Sequence, residues 1–195
     1  MGVNLLQNKS EQIYTDIGLR TPYSDKKSIH TLSKYISKFL NKKTIILCIG
    51  TDKCIGDCLG PLVGTLLTKS NFVYPVIGTL DNPAHAINLE NVVSGIEQKY
   101  RNPFIIAIDA CLGSSDFIGD IQVKLGPVHP GKGVGKTLPF VGDISIVGIV
   151  DSVDVSDIFS IRSIRLNLVL KMAETISSSL IEAAKSQKTF MSEHI

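Results

Sequence analysis

Apolar residues in this chain form five short runs with the pattern of β-strands. The runs TIILCI at 44–49 and FIIAI at 104–108 are continuous and rich in β-branched residues, which is typical of strands covered on both faces. The run at 143–150 is similar, whereas 119–125 alternates between apolar and polar residues, as a strand exposed on one side does. The fifth run, at 73–77, contains a proline and is therefore expected at a sheet edge.

Four further segments have the apolar spacing of helices. The first follows Ser28, a suitable N-cap residue, and the second carries Pro61 in its first turn, where proline is tolerated. The predicted helices cover 28–40, 59–69, 84–100 and 160–185. Because strands alternate with helices, we predict a three-layer α/β/α sandwich with a mostly parallel sheet of about five strands.

The chain of 195 residues suits one domain, which we place at 26–190. Residues 1–25 show no clear period and are interpreted as an N-terminal arm that is poorly ordered unless it docks. The amino-terminal stretch lacks the pattern of a signal peptide, and no apolar run approaches the ~20 residues of a membrane span. We therefore expect a cytoplasmic protein without membrane contact.

Composition excludes several classes of function. Hydrophobic residues make up 44% of the chain and charged residues 19%, as in globular proteins. The formal net charge is +2 and the basic residues are scattered, so no direct nucleic-acid partner is expected. The four cysteines, Cys48, Cys54, Cys58 and Cys111, lack the paired spacing of a zinc site and are interpreted as free thiols.

Two aspartates follow the clearest strands. Asp109 comes directly after the run at 104–108, and Asp57 ends the loop after the run at 44–49. In open parallel sheets the ligand site lies beyond the carboxyl ends of the strands, so these carboxylates can converge on one cleft if the strands are neighbours. There they can share a proton, activate water or hold a metal. The alternatives are that Asp57 caps the next helix and that Asp109 bonds loop amides.

The segment 129–136, HPGKGVGK, is a third feature. It resembles a phosphate-binding P-loop, but Pro130 stands where that motif needs its first glycine, and no helix pattern follows. A loop that approaches a peptide or lines a cleft is favoured instead. His85 follows a turn near a predicted helix start, and we interpret it as a surface or capping histidine.

Three ordered motifs resemble those of the spore germination protease. Asp57-Cys-Leu-Gly-Pro61 is similar to its Asp-Ala-Leu-Gly-Pro segment, Ala107-Ile-Asp-Ala110 to its Ala-Ile-Asp-Ala motif, and the loop from His129 to its downstream glycine loop. In length and in the sequence of these motifs, the chain resembles the YyaC family of sporulation proteins, which are short relatives of that protease. The resemblance implies a phosphorylase/hydrolase-like α/β fold shared with hydrogenase-maturation endopeptidases.

The resemblance also implies roles for particular residues. Asp57 and Asp109 would be the catalytic pair, and the substrate-binding loop would contribute His129, Gly131, Gly133 and Gly135. The hydrogenase-maturation enzymes suggest an alternative site, in which Asp57, Asp109 and His129 hold a divalent metal such as nickel or zinc. The leading expectation has no cofactor.

We expect a sporulation-associated peptidase-like hydrolase in the sporulating cell or forespore. Its partner would be a protein or peptide substrate, with small acid-soluble spore proteins as candidates. A non-catalytic binding or regulatory protein that keeps the protease fold is the alternative from a different class.

Overall fold

A computed structural model describes residues 18–130, 139–152 and 164–192, with the side chains of the last helix described as far as Gln187. The strands are β1 (Leu19–Pro22), β2 (Thr44–Cys48), β3 (Val76–Ile77), β4 (Phe104–Gly113), β5 (Asp120–Leu125) and β6 (Ile144–Ser152). The helices are α1 (Ser28–Ile36), α2 (Leu59–Lys69), α3 (Leu89–Lys99) and α4 (Leu166–Ser192).

The described strands form a six-stranded sheet in the order β1-β5-β6-β4-β2-β3. The four strands from β6 to β3 are parallel, whereas β5 is antiparallel to both of its neighbours. The expectation of a mostly parallel α/β sandwich is therefore confirmed. The strand at 73–77 shortens to the two residues of β3 and lies at the edge, as its proline predicted.

Helices cover both faces of the sheet. One core joins α1, α2 and α4 to alternate residues of the central strands, including Ile46, Ile106 and Ile146. The other core joins α3 to the residues between them, including Leu47 and Ala107. Because every residue of β2 is buried, its continuous apolar run corresponds to a strand covered on both sides.

The N-terminal arm docks in part. Its residues Leu19–Pro22 form β1, which pairs antiparallel with β5 at one edge of the sheet. Leu19 and Thr21 are buried, whereas Pro22 is exposed at the end of the strand. Residues 1–17 lie outside the described part of the chain.

Among the described helices, none combines the length and apolar character that a bilayer crossing requires. The longest of them, α4, instead packs one side into the first core, where Met172, Ile176 and Leu180 are fully or almost fully buried. Its neighbours there are α1 and α2. The long C-terminal helix is thus an amphipathic layer of the sandwich.

Candidate functional site

The order of the strands reverses between β2 and β4. After β2 the chain passes to β3 on one side, and after β3 it crosses to β4 on the other side of β2. The loops that leave β2 and β4 therefore diverge at their carboxyl ends. In open parallel sheets such a divergence opens the crevice in which ligands bind.

The loop after β2 returns tightly on itself and carries Asp57. Thr51 donates its backbone N–H to the carbonyl oxygen of Asp57 at 3.0 Å, and a short 3-10 turn, Ile55–Asp57, closes the loop. A Cβ atom on Gly50 would lie 2.0 Å from that same oxygen, and Gly50 has a φ of 137°, so this position requires glycine. Asp57 is thus held directly above the end of β2.

Asp57 does not act as the helix cap that its position allowed. The N-cap residue of α2 is Cys58, and no side chain caps this helix. The start of α2 is instead set by close packing, because a Cβ atom on Gly60 would lie 2.1 Å from the carbonyl oxygen of Ile49. The Asp57 side chain is therefore left for the crevice rather than used for helix capping.

Asp109 lies within β4 rather than after it. The sequence placed the end of this strand at 108, but β6 continues the parallel pairing from Asp109 opposite Val147 to Gly113 opposite Ser152. Asp109 is part-buried, and its Oδ1 accepts the N–H of Ala110 at 2.9 Å. The alternative that Asp109 bonds backbone amides is thus met in part, by the amide of its own neighbour.

The two carboxyl groups interact with each other. Burial raises the pKa of Asp109 to about 8; the negative charge of Asp57 raises it too, while the Ala110 N–H opposes the rise. Burial also raises the pKa of Asp57, and the charge of His85 lowers it. The structure therefore brings together the two aspartates that the sequence placed at strand ends. It also adds His85, which the sequence analysis interprets as a surface or capping histidine.

His85 lies near Asp57 because the chain pairs with the sheet a second time after β3. After β3 the chain leaves the sheet and comes back at Ala84, which forms a parallel bridge with Ile49 and accepts the N–H of Gly50 at 2.8 Å. His85 is therefore one residue beyond the edge of the sheet, beside the loop of Asp57. One signal in the sequence could have pointed to His85: it follows the strand-like segment at 73–77. The carboxyl ends of parallel neighbouring strands lie on the same side of a sheet, so residues after this segment can reach the site.

A protein-family model described as "Protein of unknown function (DUF1256)" matches residues 20–179. The chain is also 43% identical over 156 residues to the "Uncharacterized protein YyaC" of Bacillus subtilis (strain 168), covering 79% of this chain and 76% of that protein. The chain belongs to the YyaC family. Asp57, His85 and Asp109 lie within the range that the family model matches.

Of the glycine loop at 129–136 in this YyaC-family chain, the structure describes His129 and Pro130. His129 is exposed, and its ring stacks on Phe140 with 3.9 Å between the ring centroids. The charged groups that shift the pKa values of the two aspartates are Asp57 itself and His85, not His129. The predicted substrate-binding glycines Gly131, Gly133 and Gly135 lie outside the described residues.

The structure does not bring Asp57, Asp109 and His129 together as the ligands of a metal ion. Across 18–130, 139–152 and 164–192, no three His, Cys, Asp or Glu side chains are arranged to hold a metal ion. Asp57, Asp109 and His129, which all lie in those ranges, are thus not arranged as one ligand set. We therefore derive no step through a metal.

Cys111 lies close enough to Asp109 and to Lys124 for both charges to act on its thiol. Burial raises the pKa of the Cys111 thiol to about 11; the positive charge of Lys124 lowers it, and the negative charge of Asp109 raises it. Sequence reasoning missed Lys124 because it lies on β5, which pairs with β6 and not with β4.

Proposed function

We propose that this YyaC-family chain is a peptidase-like hydrolase that acts during sporulation or germination, with Asp57 and Asp109 as its catalytic pair. The observation that carries the proposal is the electrostatic coupling of these two carboxyl groups at the point where the strand order reverses. Coupled carboxyls whose pKa values are driven apart are the arrangement in which one acts as acid and the other as base.

The two aspartates take different roles. With a pKa of about 8, Asp109 keeps its proton at neutral pH, whereas Asp57 lies next to His85 and is the member that ionises first. The Asp57 carboxylate removes a proton from water, whose oxygen bonds to the scissile carbonyl carbon. Asp109 donates a hydrogen bond to the carbonyl oxygen as it gains negative charge.

The second half of the reaction returns the protons. The proton held by Asp57 passes to the nitrogen of the tetrahedral intermediate, the C–N bond breaks, and the amine leaves. The carbonyl of the new carboxyl group forms again, and Asp57 is restored as a carboxylate. No oxidant or cofactor is needed for this balance.

Mass spectrometry of small acid-soluble spore proteins incubated with the protein tests this function. We expect cleavage by the wild type and a loss of at least ~100-fold in rate for both Asp57→Asn and Asp109→Asn. Asp116→Asn is the matched control, because Asp116 is exposed in the 3-10 turn Ser115–Phe117. Cleavage that both site variants retain would rule out the mechanism.

A binding or regulatory role is the second candidate function. Exposed apolar side chains flank the site: Ile55 is 45% exposed two residues before Asp57, and Ile87 is 82% exposed two residues after His85. Such side chains are the kind that a bound polypeptide covers. Saturable binding of the spore proteins without cleavage by the wild type would favour this role over hydrolysis.

A further inference from the structure

At the carboxyl ends of the strands, the loop of Asp57 lies between Asp109 on β4 and the segment that carries His85. On one side, the register of β2 and β4 continues past Cys48 opposite Ile108, so Ile49 stands beside Asp109. On the other side, Ile49 pairs with Ala84, the residue before His85. Asp109 and Ala84 are thus two strand spacings apart, about 10 Å, and the loop that carries Asp57 rises from the strand between them.

The electrostatic effects follow the order of these strands, from His85 to Asp57 to Asp109. Asp57 acts on Asp109, and His85 acts on Asp57. The backbone contacts of Gly50 agree with this arrangement, because Gly50 donates its N–H to Ala84 and packs against the carbonyl oxygen of Asp57. A histidine is therefore present on one flank of Asp57 and a carboxylic acid on the other.

We propose that His85 is a positioning residue that reinforces the asymmetry of the aspartate pair: burial keeps Asp109 protonated, and His85 favours Asp57 as the ionised member. This inference deepens the proposed function and rests on it for its catalytic meaning. Two carboxyls in similar surroundings share one proton without a fixed owner. A cation beside one of them favours the negative charge on that residue, which then acts as the base.

Local hydrogen bonds hold the His85 ring and its backbone. The His85 N–H donates to Oδ1 of Asn88 at 2.8 Å, and Asn88 donates its side-chain N–H to the carbonyl of Pro83 at 3.0 Å. In the neutral ring, Nδ1 accepts the N–H of Ile87 at 3.3 Å, a contact that is lost when Nδ1 is protonated. Nε2 therefore carries the proton of the neutral ring, so it is a donor whether or not the ring is charged.

Other charged and titratable groups near Asp57 act differently from His85. Asp109 faces it from β4, and Asp52, Cys54 and Cys58 lie on its own loop, where Asp52 and Asp57 both raise the pKa of Cys58. All of these groups are acidic; the loop also carries Lys53, whose side chain is exposed and is not among the groups that shift the pKa of Asp57. Among the described neighbours that shift the pKa of Asp57, His85 is the group that favours its negative charge.

Carboxyl ¹³C NMR titration of the full chain tests the inference without any substrate. Asp57→Asn and Asp109→Asn identify the two signals by their loss. In His85→Gln, which keeps a donor but has no charge, we expect the Asp57 midpoint to move to higher pH. In His85→Lys, which restores a positive charge, we expect the midpoint to return toward the wild-type value.

His30→Gln is the matched control. His30 is an exposed residue of α1 that pairs with Glu182 at 3.2 Å on the other face of the sheet, so its loss should leave the Asp57 midpoint unchanged. Each variant is required to keep the native amide spectrum, and His85→Asn replaces His85→Gln if the latter does not. An unchanged Asp57 midpoint in the uncharged variant, or a midpoint that His85→Lys does not restore, would overturn the inference. The peptidase assay judges the proposed function separately.

Discussion

The Asp57 and Asp109 carboxyl groups lie close enough for the negative charge of Asp57 to raise the pKa of Asp109. They meet because β2 and β4 are adjacent parallel strands, so the loop after β2 and the C-terminal half of β4 lie at the same end of the strands. The loop geometry at Gly50 and the burial of β4 complete the arrangement.

The pH dependence of stability should reveal the raised pKa of Asp109. The folded protein holds this proton up to a pH of about 8, whereas the unfolded chain releases it near the ordinary value of 3.8. The folded state thus binds more protons between these values, and the free energy of unfolding falls as the pH rises. Asp109→Asn resembles the protonated form and should be more stable than the wild type at pH 8, by on the order of several kcal/mol.

Urea unfolding of both proteins from pH 4 to pH 9 measures this difference. The advantage of Asp109→Asn should nearly vanish at pH 4, grow as the pH rises, and level off above a pH of about 8. Asp116→Asn, at an exposed position, should show no such trend. An Asp109→Asn effect that is constant with pH would mean that the carboxyl titrates alike in the folded and unfolded chains.

Two glycines in helices should respond oppositely to alanine. In Gly60→Ala the new Cβ would meet the carbonyl oxygen of Ile49 at 2.1 Å, so α2 must move away from β2, and we expect a loss of ~1–3 kcal/mol. In Gly95→Ala nothing lies within 4 Å of the new Cβ in α3, and we expect a gain of ~0.5–1 kcal/mol. Urea unfolding measures both, and equal effects would contradict the close packing at Gly60.

The four thiols should be alkylated at different rates. Cys54 is exposed, Cys58 is only 7% exposed and Cys48 is fully buried, with burial raising its pKa. Cys111 is part-buried, and its pKa is raised to about 11. Because the thiolate is the reactive form, iodoacetamide should label Cys54 first and Cys48 only after unfolding. Peptide mass spectrometry follows the order, and early labelling of Cys48 would contradict the buried position of β2.

Much of the fold could be predicted because the central strands are buried on both faces. The runs that became β2 and β4 are continuous and apolar, and their parallel neighbours follow from the helices between them. The edge strand β1 could not be predicted in this way. It has four residues, contains Arg20 and Pro22, and buries Leu19 and Thr21 only because β5 offers it a free edge.

The site could be predicted only where it follows a strong strand. Asp109 was found because it comes after FIIAI, although tertiary pairing with β6 extends that strand through it. His85 was missed because the chain leaves β3, makes a loop and pairs again at Ala84, a return that no periodicity announces. The effect of Lys124 on the Cys111 thiol depends on β5, an antiparallel strand placed beside β6, and is therefore a property of the whole sheet.

The central claim is that Asp57 and Asp109 act as one coupled pair, and the titration of the Asp109 carboxyl group tests it most directly. By ¹³C NMR of the wild-type protein we expect an Asp109 midpoint at a pH of about 8. In Asp57→Asn the midpoint should fall, because the neighbouring negative charge is gone, while burial still keeps it above the ordinary value of 3.8. An Asp109 midpoint near 3.8 in the wild type, or one that Asp57→Asn leaves unchanged, would contradict the account.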